Sequence, residues 1–210
     1  MRYLTVPAIA ILLALGGCGG GMDSAQCVTA DWRAIGYEDG AQGRGPEQLA
    51  ERRKACAAHG VTPDFEAYMS GRDKGLAQYC RPQNGYRLGA SGYRYAGVCP
   101  SESEGAFLAA HADGYGLYKR RVAVARIVKR LQKSKRRADQ IEFSFVEKTA
   151  QLVSGDVSVA QRAAIGVEIK QLAEKKADLA LTIQQLEYDR EVAQRDYDEY
   201  RARMADRNGG

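Results

Sequence analysis

The fold class predicted from the residues is mainly α. A small disulfide-stapled, Gly/Tyr-rich domain of short helices, internally duplicated, precedes a long antiparallel helical hairpin of the coiled-coil kind. Three observations predict it. Four cysteines fall between residues 27 and 99 downstream of an export signal, a Gly-Tyr pattern recurs with identical spacing, and the carboxy-terminal ninety residues carry a heptad pattern without proline. The 210 residues are 45% hydrophobic and 27% charged with a net charge of +5, which excludes wholesale disorder and a multi-span membrane protein. All five prolines lie at or before Pro100, and only Gly155 and Gly166 interrupt the span 117–207. The predicted divisions are 1–17, 18–26, 27–118 and 119–207.

The first division reads as an export address. Arg2 precedes an apolar run from Leu4 to Leu15, the length of a signal-peptide core and short of the ~20 residues that a membrane span needs. The run ends in Leu15-Gly16-Gly17-Cys18, which resembles a bacterial lipobox and implies acylation (palmitate or a similar chain) of Cys18 as the first mature residue. Each buried CH₂ adds about 0.8 kcal/mol, so several acyl chains on one residue anchor stably. Residues 18–26 are then the lipidated cysteine and a flexible tether. Gly19 is not the aspartate that retains such proteins in the inner membrane, so the expected location is the outer membrane, facing the periplasm.

In the second division Cys27, Cys56, Cys80 and Cys99 form an even set in an exported chain, which reads as a disulfide framework with three pairings open. The repeat bears on the choice. Gly36-Tyr37-x-x-Gly40-Ala41-x-Gly43 recurs as Gly85-Tyr86-x-x-Gly89-Ala90-x-Gly92, each copy flanked by two cysteines. If the unit arose by duplication, each copy carries its own bridge, Cys27–Cys56 and Cys80–Cys99. Each copy also leads through a phenylalanine to a second glycine pair, Phe65…Gly71-x-x-x-Gly75 and Phe107…Gly114-x-Gly116.

Short helices are expected here, with Pro46 and Pro63 placed as first helical residues and Gly60 as a stop. Glycine within a helix costs roughly 1 kcal/mol relative to alanine, so the repeated glycines need a return. Close approach of another backbone supplies one. The alternative is a ligand or glycan groove floored by glycine and walled by Tyr37, Tyr68, Tyr86, Tyr93 and Tyr95. Trp32, the only tryptophan, reads as a core anchor.

Trp32…Gly36-Tyr37-x-Asp39-Gly40-x-x-Gly43, then Tyr68-x-x-Gly71-x-x-x-Gly75-Leu76-x-x-Tyr79-Cys80, then Gly85-Tyr86-x-x-Gly89-x-x-Gly92-x-x-Tyr95…Cys99-Pro100 resembles the bacterial lipoprotein family known as domain of unknown function 2799. The resemblance covers roughly residues 27–118. It implies a Gram-negative envelope lipoprotein, carries over no catalytic residue, and does not reach the tail.

The tail begins with Ser101-x-x-Glu104, a capping-box pattern that opens a helix reaching Val153. Ser154-Gly155-Asp156 breaks it, and Ser158-x-x-Gln161 restarts helix. Ile165, Ile169, Leu172, Lys176, Leu179, Ile183, Leu186, Arg190, Ala193, Tyr197, Tyr200 and Met204 keep a 4-3 spacing, as do Val124, Ile127, Leu131, Ser134, Ala138, Ile141, Phe145, Lys148 and Leu152. A short turn favours antiparallel neighbours, with residue i facing roughly residue 311 minus i and arms of about 70 Å. Oligomers through the coiled coil are left open.

Between Lys119 and Arg137 lie ten Lys or Arg residues and no acid, which suggests an anionic partner. Arg120, Arg121, Lys129, Arg130, Arg136 and Arg137 are the candidate anion-binding residues. In an exported protein the candidate anions are lipopolysaccharide phosphates, anionic phospholipids or peptidoglycan carboxylates rather than nucleic acid. No nucleophile elbow, phosphate-binding lysine loop or metal-binding helix motif occurs, and Cys56-x-x-His59 ligates a metal only if Cys56 escapes its disulfide. The expected function is therefore non-enzymatic, without cofactor or metal. The chain reads as an envelope lipoprotein whose hairpin binds another envelope component, a protein, lipopolysaccharide or peptidoglycan, with the glycan-binding groove as alternative.

Overall fold

The computed structural model describes residues 22–208; Cys18, the segment read as an export signal and the start of the expected tether lie outside them. Seven helices follow in order, α1 (Ser24–Val28), α2 (Trp32–Ala41), α3 (Glu47–Ala57), α4 (Phe65–Tyr79), α5 (Pro82–Ser91), α6 (Ser101–Val153) and α7 (Val159–Asn208), with no strand among the described residues. The chain divides into two compact units between Gln78 and Tyr79. The second half of the repeat and the two long helices therefore share one unit, and α6 runs unbroken from the repeat into the long arm.

In the first unit, α1 begins inside the stretch read as tether. Asp23 accepts from Gln26 N at 2.8 Å while Gln26 accepts from Asp23 N at 3.0 Å, a reciprocal cap that orders this turn. The disulfide Cys27–Cys56 then ties α1 to α3. Cys27, Trp32, Cys56 and Tyr68 form the buried core, with Ile35, Leu49 and Val61 packed around it. Pro46 is the N-cap residue of α3, Pro63 stands two residues before α4, and Gly60 takes a positive φ of 71° after α3.

Helices α2 and α4 cross on four glycines. A Cβ on Gly36 or Gly40 would overlap the carbonyl oxygen of Tyr68 or Arg72, and one on Gly71 or Gly75 would overlap that of Arg33 or Tyr37. Each helix thus presents two glycines to two carbonyls of the other, a spacing that lets Cα–H groups meet carbonyl oxygens and that any side chain would block.

The second unit repeats the arrangement between α5 and the start of α6, stapled by Cys80–Cys99. Gly85 faces the carbonyl of Phe107, Gly89 that of His111, and Gly114 that of Tyr86. This geometry corrects the register of the repeat. Tyr68, not Phe65, is the counterpart of Phe107: Tyr68 and Phe107 are both fully buried, whereas Phe65 is 61% exposed. Gly75 then corresponds to Gly114 and Gly71 to Ala110. Gly116 has a different use, because it faces the ring of Tyr200 on α7.

α6 and α7, of 53 and 50 residues, are each about 75–80 Å long at 1.5 Å per residue. Every apolar or aromatic residue of the α7 heptad series is buried or half-buried, while Lys176 and Arg190 in the same series are exposed. All nine α6 positions of the matching series are covered too, Leu131 most completely. Ion pairs between the helices join Arg120 to Asp196, Lys135 to Glu187, Glu142 to Lys176 and Lys148 to Glu168, so the α7 partner falls in number as the α6 residue rises.

The pairing differs from the expected one. Lys135, expected opposite residue 176, meets Glu187. α7 is displaced because its first turn wraps the end of α6: Arg162 donates to the carbonyls of Leu152 at 2.8 Å, Ser154 at 3.1 Å and Val157 at 3.2 Å. One guanidinium thereby satisfies carbonyls that the end of α6 and the turn would otherwise leave open. The Ser158/Gln161 box is present at 2.9 and 3.3 Å. The Ser101/Glu104 box is not. Pro100 is the N-cap residue there, and Glu104 accepts instead from the hydroxyl of Tyr95 at 2.9 Å.

Candidate functional site

The five tyrosines read as walls of a groove are divided between the two units. Tyr37 and Tyr68 lie in the first unit, Tyr86, Tyr93 and Tyr95 in the second. Tyr68 is fully buried, while Tyr37 and Tyr93 are 44% and 48% exposed. Tyr95 accepts from Cys99 N at 2.7 Å and packs on Phe107 with ring centroids 4.9 Å apart. Burial pushes the hydroxyls of Tyr86 and Tyr95 above the usual tyrosine range. The glycines floor no groove, because each repeated pair is filled by the backbone of the facing helix. Trp32 sits in the core, and Cys56 is held in its disulfide, which removes it as a metal ligand beside His59. Among the described residues no group of His, Cys, Asp and Glu is arranged to hold a metal ion.

A buried polar cluster that the sequence reading did not find lies in the first unit. Asp39 is 1% exposed. It accepts from Arg52 through both oxygens, at 2.9 and 3.1 Å, from the hydroxyl of Tyr68 at 2.9 Å and from Arg44 at 3.4 Å. Burial first, then the hydrogen bond to Asp39 and its charge, push Tyr68 up to about 12. Arg72, also buried, donates to the carbonyl of Arg44 at 3.0 Å. In the second copy the positions of Asp39 and Tyr68 are Leu88 and Phe107. The second copy therefore keeps the glycine crossing without the polar cluster.

The long helices hold the larger surface feature. Two of the candidate anion-binding residues are committed internally. Arg120 pairs with Asp196 at 3.0 Å, donates to the Gly116 carbonyl at 3.1 Å and stacks 3.9 Å above the ring of Tyr200. Arg121 donates to the Ala90 carbonyl at 3.2 Å. Tyr200 in turn donates to the Asp113 carbonyl at 3.0 Å, and Arg207 pairs with Asp113 at 2.8 Å, so these groups fasten α7 to the base of α6. Lys135 is paired as well, and its ammonium holds Glu187 below the usual carboxylate range.

Lys129, Arg130, Arg136 and Arg137 remain exposed, joined by Arg126 and Lys133. Among the described residues none of these six stands in an ion pair. At 100° per residue they fall on one side of α6, away from the covered positions Leu131, Ser134 and Ala138. The stripe is about 17 Å long from Arg126 to Arg137. Six guanidinium and ammonium groups on a rigid helix, with no acid in the stretch, form a line of positive potential that anionic oxygens can occupy.

Residues 31–116 match the model of a protein family described as a protein of unknown function, DUF2799. The match covers both copies of the glycine crossing and ends at Gly116, where α7 takes over the contact. No curated protein and no solved structure matches the chain.

Proposed function

We propose that this chain is a lipid-anchored, non-enzymatic protein of the periplasmic face of the outer membrane, whose α6 and α7 form an antiparallel coiled-coil hairpin that holds an anionic envelope component. The observation that carries this reading is the exposed stripe of Arg126, Lys129, Arg130, Lys133, Arg136 and Arg137, which the partner helix leaves unpaired. A coiled coil balanced for solubility alone would intersperse acids on that face. Within the second unit, the crossing of α5 on α6 with its disulfide Cys80–Cys99 supplies a rigid base, since its close-packed backbones leave little room for rearrangement.

Anchoring is assigned to Cys18. No helix among the described residues is long and apolar enough to cross a membrane. Cys18→Ser is expected to leave the chain unacylated and absent from the outer-membrane fraction; retention of that variant through carbonate washing contradicts the anchor. The ligand class is tested by crosslinking in intact envelopes and purifying the wild-type chain beside a variant with the six stripe residues changed to glutamine. Phosphate- or carboxylate-bearing envelope material is expected with the first and not the second. Equal recovery contradicts the reading.

A further inference from the structure

We infer that the outer face of α7 is a self-complementary surface by which two copies of this chain associate through a two-fold axis. The inference uses α7 alone and holds whatever α6 binds, so it stands or falls separately from the anion reading.

The covered heptad positions of α7 occupy one side of the helix, and one side is all that a two-helix hairpin can bury. Yet the opposite side also carries large apolar residues: Val167 is 57% exposed, Leu181 67%, Tyr188 61% and Val192 40%. At 100° per residue they fall on the side opposite the covered series, facing away from α6. A helix with apolar residues on two opposed sides matches a bundle of more than two helices.

The order of residues along this face identifies the occupant. From amino to carboxy end it reads Lys170, Glu174, Ala177, Leu181, then Tyr188, Val192, Arg195, Glu199, all exposed. Placing a second α7 antiparallel, with the axis between Gln184 and Gln185, brings Leu181 against Tyr188 and Ala177 against Val192. The same operation sets Glu174 against Arg195 and Lys170 against Glu199. Each contact occurs twice, as an isologous interface requires. One like-charge juxtaposition accompanies them, Asp178 with Glu191. An apolar centre flanked on both sides by opposite charges in mirrored order is the pattern that fixes antiparallel register between identical helices.

The test is sedimentation of the full chain carrying Cys18→Ser, compared with Glu174→Arg, Arg195→Glu and the double variant in the same background. The parent is expected to sediment as a dimer. Each single change sets like charges together twice and is expected to weaken dimerisation about tenfold or more. The double variant restores opposite charges and is expected to recover the parent affinity. All sites are exposed, so far-UV circular dichroism is expected to show unchanged helix content. A photo-crosslinker at Leu181 in the parent is expected to yield a species of twice the chain mass joined near Tyr188. A monomeric parent, singles that dimerise like the parent, or a double variant as weak as the singles overturns the inference. So does a Leu181 adduct formed only with a different protein.

Discussion

Gly36 meets the carbonyl oxygen of Tyr68 with no room for a Cβ, and Gly85 meets the carbonyl of Phe107, the residue that occupies the place of Tyr68 in the second copy. The repeated glycines are thus explained by helix crossing. Gly36→Ala and Gly114→Ala are each expected to lower stability by roughly 1–3 kcal/mol or more, because the facing backbone must move. Gly166→Ala is expected to act in the opposite sense. That glycine lies within α7 with nothing near its Cβ position, and alanine in an exposed helix interior gains about 0.5–1 kcal/mol. Urea unfolding of the three variants checks both signs.

The two copies also set up an exchange experiment. Asp39→Leu alone removes the acceptor for Arg52 and Tyr68 and is expected to destabilise the first unit by about 1–3 kcal/mol, since it leaves the buried Tyr68 hydroxyl and the half-buried Arg52 guanidinium without their partner. Adding Tyr68→Phe reproduces the Leu88/Phe107 pair of the second copy and is expected to recover part of that loss. A coupling of about 0.5–3 kcal/mol between the two changes is the predicted result, and strict additivity argues against the pairing.

Tyr68 also makes stability depend on alkaline pH. The unfolded chain releases this proton near 10, whereas the folded chain keeps it to about 12. Its contribution is therefore fully present below about pH 10 and is lost as pH rises through about 12. Tm is expected to fall across that window, and less steeply in Tyr68→Phe. A residual slope is expected in the variant, because Tyr79, Tyr86 and Tyr95 are also raised by burial. Equal slopes in both proteins contradict the assignment.

How far this structure was legible from its residues varies by element. The covered face of α7 was plain, because ten of its twelve heptad positions are apolar or aromatic and the pattern needs no knowledge of the partner. The pairing with α6 was not, since it depends on Arg162 reaching three carbonyls around the turn, and no spacing rule announces that. The repeat was visible in its identical glycines, but matching phenylalanine to phenylalanine misled. Phe65 is exposed, and the informative spacing was the seven residues from Tyr68 to Gly75 and from Phe107 to Gly114. Asp39 was passed over because its partner, Arg52, lies on another helix. The basic run is plain in the sequence, yet only the fold separates Arg120 and Arg121, which fasten the helices, from Lys129, Arg130, Arg136 and Arg137, which do not.

The claim that the stripe holds an anionic surface is tested most directly by sedimenting the unacylated Cys18→Ser chain with vesicles of neutral lipid, of anionic phospholipid and of lipopolysaccharide across a salt series. Attraction near an anionic surface is about 1 kcal/mol per basic residue and decays within a Debye length, so several residues act together and salt weakens all of them. The chain is expected to bind both kinds of anionic vesicle at low salt, to ignore neutral ones, and to be released at a few tenths molar. Changing Arg126, Lys129, Arg130, Lys133, Arg136 and Arg137 to glutamine is expected to abolish binding with helix content unchanged. Failure of the parent chain to bind anionic vesicles at low salt, or binding that survives the six changes, contradicts the account.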